Sequence, residues 1–457
     1  MSESSQPAPE HLPYTRTWSA PSELKITDIR ISTIVGAPMR CPLLKITTNQ
    51  GIEGYGEVRD AASPIFALML KRHLLGENPC DIDKLFRRIK QFGGQARQGG
   101  GVSGIEVALW DLAGKAYGVP CYQLLGGKFR DRIRIYCDTD AGGKPDGEVM
   151  GQALKKRMAK GFTFLKMDLG TNQLAGTPGT LNAPTGYLDN LALLAQAAQT
   201  TADPLERRLA RNRLYDAYNV AHPFTGLHLT EKGLQFLEDY VSQVRAIIGQ
   251  EVPLAVDHLG HIALEDAIQL ARRLERYHLA WLEDPIPWQL TKQYMRLVRA
   301  TSMPICTGED IYLKEGFQPL LAAGGVSVIH PDVLTTGGML ETKKIADLAQ
   351  EYGVAMAMHM AESPIGCLAA VHVAAASENF YVLENHSVDV AWWDDLVSGP
   401  VRPLVQDGFI QVPEAPGLGI DALNDEVIAQ HLDPNGPGLW ASTENWDNDY
   451  SHDRLWS

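Results

Sequence analysis

No run of apolar residues in this 457-residue chain approaches the roughly 18 needed to span a bilayer. The N-terminal MSESSQPAPEHLPYTRTW has neither the basic start nor the apolar core of a secretory signal. Cysteine is sparse, and Cys41, Cys80, Cys121, Cys137, Cys306 and Cys367 are scattered without a CxxC pair, as expected of reduced, mostly buried thiols in a cytoplasmic protein. Positive charge is also short: 41 Lys and Arg stand against 55 Asp and Glu, a net charge of −14. That balance argues against nucleic acid or an anionic membrane as the main partner, yet permits a small anionic substrate in a locally cationic pocket. Nor does a GxGxxG phosphate loop follow the first strand of the α/β region, where DAGGKPDGEV stands instead. A doubly wound dinucleotide-binding sheet usually carries that loop.

What is present is ordinary globular composition, 45% hydrophobic and 21% charged, enough for about two or three domains or for one large barrel and a smaller companion domain. Residues 1–24, rich in Ser, Pro and Glu, read as a flexible lead-in. Two strand-like runs follow, ITDIRISTIVG and LLKITTNQGIEGYGEV, the second folded into a hairpin at Asn49-Gln50-Gly51. Helical periodicity then marks PIFALMLKRHLLG, DIDKLFRRIKQFG and SGIEVALWDLAGKAYG, so residues 25–131 form an expected α+β domain.

Over 132–385 the pattern becomes eight short apolar strands alternating with amphipathic helices: IRIYCDT, FTFLKMD, PLAVDH, LAWLED, PICTGED, SVIHPD, VAMAMH and FYVLEN. Eight such units predict a β/α barrel. One unit is oversized, with an insertion at about 169–252 that reads as a lid or an oligomer contact. Residues 386–457 look like a return to the first domain followed by an arm whose Trp440, Trp446 and Trp456 should pack on a neighbouring surface.

The strand ends carry the chemistry. Asp257, Glu283 and Glu309 are spaced 26 and 26 residues apart, and Asp332, His359 and Glu384 follow at 23, 27 and 25. One β/α unit has about this length, so each residue closes a strand on the face where barrel enzymes react. Carboxylates converging from three adjacent strands repel one another unless a cation joins them, and hard oxygen donors favour Mg²⁺. His359 lies in an Ala- and Met-rich strand where a histidine is ordinarily a core residue. Asp332 one unit earlier makes it half of a His–Asp pair, with the acid setting the tautomer.

With the motifs LAVDH, WLEDPIP, CTGED, HPDVLTTGG and AMAMHMAESP, the chain resembles the enolase superfamily in its mandelate-racemase-like branch. The resemblance takes in everything but the two tails and the insertion. It implies an α/β fold, a (β/α)7β TIM-type barrel with an N-terminal α+β capping domain. It also implies Mg²⁺ held by Asp257, Glu283 and Glu309, and abstraction of the proton α to a carboxylate, giving an enediolate that the metal stabilises. In such sites a Lys or His base works beside the metal. Glu384 matches the position where relatives place a carboxylic acid that donates to the enolate.

The opposite side of the pocket narrows the reaction. Lys166 and Asp168 alternate so that both point inward, whereas racemase-type relatives have Lys-x-Lys there. The Lys-x-Asp form looks more like the sugar-acid dehydratases of the galactonate type, whose base is the His of Asp-x-His. Here DHLGHI puts Leu259 at that place, and His258 or His261 is left as the base. Asp332 occupies the place of the sixth-strand lysine of cycloisomerases. The expectation is therefore a sugar-acid (aldonate or aldarate) dehydratase and homo-oligomer, from dimer to octamer. Its Lys166 would grip the substrate carboxylate, and Arg59 or Arg40 would meet the far end of the substrate. An epimerase, racemase or cycloisomerase acting on a related acid, or a non-catalytic metal-binding relative, is the alternative.

Overall fold

A computed structural model describes residues 20–139, 141, 146–174, 176–219, 226–257 and 262–449. The first domain is built on an antiparallel meander of β1 (Ile26–Ile34), β2 (Cys41–Thr48) and β3 (Glu53–Glu57). The expected hairpin between the last two is present. Against this sheet lies the helix Gly100–Tyr117, nearly all of it buried, because the barrel covers its other side. Glycine makes the close approach possible: a Cβ on Gly56 would stand 2.0 Å from the Gly104 carbonyl oxygen. The run 64–76, read as one helix, is instead an α turn, Ile65–Leu68, and a 3-10 turn, Lys71–His73. Lys71 is drawn inward there by Asp28 at 2.6 Å and Asp447 at 2.5 Å.

All eight expected barrel strands form: β4 (Arg132–Cys137), β5 (Leu165–Asp168), β8 (Leu254–Asp257), β9 (Trp281–Glu283), β10 (Ile305–Thr307), β11 (Val328–Ile329), β12 (Ala355–Met358) and β13 (Phe380–Asn385). Between the second and third of these, β6 (Leu181–Asn182) and β7 (His228–Leu229) make a small antiparallel pair. The barrel strands run parallel in the order β4-β13-β12-β11-β10-β9-β8-β5. Closure shows in the interior, where Tyr136, Phe164, Ala255, Trp281, Cys306, Val328, Ala357 and Val382 form one apolar layer. Each comes from a different strand unit, so the barrel is a filled core with chemistry at its mouth. Strand β11 is only two residues long because Pro331 has no amide to donate.

Within 169–252, the helix Glu231–Ile248 packs beside Gly147–Ala159, as the helix between β5 and β8 must. The surplus is the segment before it. There the helices Tyr187–Thr200 and Pro204–Asn219 pack on each other, so the arginine-rich stretch is helical. Trp440 is buried on the capping sheet, its Nε1 donating to Asp425 at 2.6 Å and its backbone NH to Ser32 at 2.7 Å. Trp446 is half-buried, and Trp456 lies outside the described residues. Among the described residues, no helix is long and apolar enough to cross a membrane.

Two glutamates join the domains. Glu57, at the end of β3, accepts from the Ser363 amide at 3.1 Å, the Gly366 amide at 3.2 Å and the Ser363 hydroxyl. Glu106 accepts from the Met339 amide at 2.7 Å and the Leu340 amide at 3.1 Å. Each thus caps a barrel helix, Pro364–Ala376 or Met339–Glu351, whose first amides lack partners of their own. Burial dominates these carboxyls and is only partly offset by the donated bonds, pushing Glu57 up to about 7 and Glu106 up to about 8. A carboxyl whose pKa is raised on folding holds its proton longer in the folded state. Its contribution is therefore full below the unfolded value and is lost as pH rises through the folded one. The double variant Glu57→Gln/Glu106→Gln should show a flatter fall in melting temperature than wild type between about pH 5 and pH 9, measured by calorimetry. An unchanged slope would show that these two groups do not titrate in that window.

Candidate active site

At the mouth, the strand ends put a group of carboxylates beside buried cations. Asp168 and Asp257 face each other in register at the ends of β5 and β8. Deeper along β5, Lys166 is buried with its Nζ 2.6 Å from Asp257 Oδ2, 2.7 Å from Glu384 Oε1 and 3.2 Å from Glu283 Oε1. Burial alone would strip its proton, but Asp257, Glu283 and Glu384 outweigh burial and raise its pKa well above the usual lysine value. Glu283 also accepts from the Trp281 indole NH at 2.8 Å, and His330 Nδ1 lies 2.9 Å from its Oε1. The other nitrogen of His330 lies 2.8 Å from the Tyr136 hydroxyl.

Asp284 ends the strand in a left-handed conformation, φ 42°, that turns the chain toward Pro285. Its carboxylate accepts from the Thr307 hydroxyl and lies within 4.8 Å of those of Asp257 and Glu283. Burial, reinforced by Glu309, Glu283 and Asp257, raises its pKa well above the ordinary carboxyl range.

Glu309 stands outside that tightest group. Its carboxylate faces His359 Nε2 at 3.4 Å and the Arg59 guanidinium at 3.6 Å. Those two cations hold its pKa down against burial.

On the other wall, Asp332 divides its oxygens. Oδ1 accepts from the Leu334 amide at 2.6 Å, capping the short helix Val333–Thr336, and Oδ2 lies 2.6 Å from His359 Nδ1. The cap fixes the carboxylate, the carboxylate fixes the ring, and Nε2 is turned to the pocket. Burial opposes the imidazolium, yet Glu309 and Asp332 raise the pKa of His359 well above its usual value. Glu384 is held ionised, its pKa lowered against burial by Lys166 and His386. There it accepts a hydrogen bond from Lys166 Nζ.

Arg59 departs from expectation. It is 0% exposed and buttresses the site from behind. Its Nε is 2.8 Å from Asp60, Nη1 donates to the Glu309 carbonyl at 2.9 Å and to the Thr335 hydroxyl, and Asp332 and Glu362 lie 3.6 Å away. A guanidinium so enclosed by protein groups does not reach out to the far end of a substrate. Arg40 likewise donates to the carbonyls of Ala61 and Ala62 at 3.0 Å. His258 and His261 lie outside the described residues.

Sequence reasoning missed His330, His386 and Glu362. His386 was within reach, since alternation puts it on the same side of the strand as Glu384 two residues earlier. His330 and Glu362 had no periodic signal, and only the closed barrel brings them to the site.

A model of the family described as enolase C-terminal domain-like matches residues 149–426, and the mandelate racemase/muconate lactonizing enzyme N-terminal domain matches 19–126. The chain belongs to the enolase superfamily. A D-xylonate dehydratase of Haloferax volcanii is 32% identical over 417 residues, covering 90% of this chain and 89% of the relative. A D-galactonate dehydratase of Ralstonia nicotianae is 30% identical, covering 91% and 96%. The crystal structure of a mandelate racemase/muconate lactonizing enzyme-like protein from Rubrobacter xylanophilus superimposes with a TM-score of 0.75 at 30% identity, covering 91% of this chain and 100% of that one.

Superfamily dehydratases generally use a divalent metal, and the donor set here fits one. Asp257, Glu283 and Asp284 offer hard oxygens from a single small volume, with Glu309 beside them and a buried ammonium already drawn to the same place. Millimolar Mg²⁺ should raise the melting temperature of wild type by several degrees, while Asp257→Asn and Glu283→Gln should lose most of that shift. Equal shifts in all three proteins would rule this cluster out as the metal site.

Proposed function

We propose that this superfamily member is a Mg²⁺-dependent sugar-acid dehydratase, a hydro-lyase acting on an aldonate or aldarate. The observation that carries this reading is the His359–Asp332 pair facing Lys166 across the carboxylates of Asp257, Glu283 and Glu309. The named dehydratases similar to it along most of its length support the reaction class.

The α-proton of a carboxylate is far too weak an acid for neutral water. Bound by Asp257, Glu283 and Glu309, with Asp284 adjoining, Mg²⁺ would supply the positive charge that offsets the negative charge developing on the substrate carboxylate. The protein groups do the rest. Lys166, kept charged by its neighbours, holds the carboxylate. His359, with its tautomer set by Asp332, gives a proton from Nε2 to the departing 3-hydroxyl, which leaves as water. A base on the opposite side takes the α-proton, and His258 and His261 are its candidates, with Asp168 at the adjoining strand end. The enol left behind tautomerises to a 2-keto-3-deoxy acid, so the atoms balance as loss of one water.

A cytoplasmic homo-oligomer belongs to the same proposal. All six cysteines are free and five are buried, which suits a reducing compartment. An epimerase, racemase or cycloisomerase would share the first proton abstraction and differ afterwards. Incubation with a panel of aldonates and aldarates should yield 2-keto-3-deoxy acids, and His359→Asn should lower kcat by roughly 100-fold or more. Exchange of the α-proton with D₂O without any keto acid formed would overturn dehydration in favour of an isomerase.

A further inference from the structure

Beyond the dyad already described, the pocket holds a second histidine–carboxylate pair with no assigned task. Strands β4 and β13 run side by side, with Asn385 opposite Cys137. His386 and Asp138 are the next residues on each, so they rise just above the strand ends. His386 Nδ1 is 3.6 Å from Asp138 Oδ2, and its Nε2 is 3.2 Å from Glu384 Oε1. That same Glu384 oxygen is 2.7 Å from Lys166 Nζ. The His386 ring centre lies 5.8 Å from that of His359. The pair therefore sits between the two groups that would handle the substrate's carboxylate and its 3-hydroxyl, across the barrel from the carboxylates on β8, β9 and β10.

Exposure increases along this line. Glu384 is 0% exposed, the His386 side chain 17% and that of Asp138 31%, so the row leads from the buried centre out to the mouth. Asp138 is also held in place. Its Oδ1 accepts from the Thr139 amide at 2.9 Å, and its carbonyl accepts from Arg157, which is itself anchored to Asp389 at 2.8 Å. Oδ2 is the oxygen turned to His386.

We propose that His386 and Asp138 form the subsite that hydrogen-bonds the hydroxylated chain of the substrate, and that this subsite selects aldonates over aldarates. The inference rests on the dehydratase reading above and deepens it. An imidazole beside a carboxylate offers both a donor and acceptors at one point, as a polyol requires. An aldarate would bring a second carboxylate instead. At the outer end of the row stands the Asp138 carboxylate, whose like charge repels that group.

The test compares Mg²⁺-loaded wild type, His386→Ala and Asp138→Asn on pentonates and hexonates, on the matching aldarates, and on aldonates lacking a chain hydroxyl. Binding is read by calorimetry and turnover by keto acid formation. His386→Ala should weaken aldonate binding and kcat/KM by about 10- to 100-fold, mostly through KM. The loss should shrink for the deoxy acids, which a merely structural defect would not produce. Asp138→Asn should narrow the aldonate-to-aldarate preference by about tenfold, and Asp138→Glu should restore it. Wild-type affinities in both variants, or an unchanged preference in Asp138→Asn, would overturn the subsite. If wild type binds these acids but dehydrates none, the dehydratase reading fails and the calorimetric comparison still decides the subsite.

Discussion

The constraint on which this structure depends is an excess of buried negative charge at the mouth of a closed barrel. Asp257, Glu283, Asp284, Glu309, Asp332 and Glu384 converge there because each lies at or shortly beyond the C-terminal end of a strand in one parallel sheet. In an environment of low polarizability such groups remain ionised only beside positive charge. Lys166, Arg59 and His359 supply it, each buried and each kept charged by the acids it serves. The cations differ in depth. Lys166 stands inside the group, His359 at its edge, and Arg59 behind it, bridging from the capping domain. Removing any one would leave carboxylates without a partner, which is why the site and the joint between the domains are one electrostatic unit.

The two domains meet through the same device, used twice. Glu57 and Glu106 each reach from the capping domain to the amide end of a barrel helix. Helix starts have unsatisfied donors, and a carboxylate from another domain satisfies them as well as a local cap would. Ser363 and Met339 begin helices that closely follow the strand ends carrying His359 and Asp332. The cap domain therefore steadies the backbone that places the His–Asp pair.

Much of this was legible in one dimension. The period of about 26 residues between Asp257, Glu283 and Glu309 identifies strand ends, since a β/α unit has a characteristic length and alternate residues share a face. The same period picked out Asp332, His359 and Glu384. Arg59 was misjudged because exposure is not written in a loop sequence. The arginine follows a strand of the other domain, and only docking buries it among Asp60, Glu309, Asp310, Asp332 and Glu362. The place of Asp284 was not legible because φ decides where its side chain points, and its left-handed turn brings the carboxylate toward those of Asp257 and Glu283.

The sequence by itself determined the barrel, the parallel order of acids around it and the pairing of His359 with Asp332, because repeat length and alternation are local properties of the chain. Only the tertiary structure decided which charges meet. Glu309 turns to His359 and Arg59, Glu384 to Lys166 and His386, and His386 to Asp138 across β4 and β13. Those choices depend on closure of the barrel, which makes its first and last strands neighbours although they stand roughly 250 residues apart in the chain.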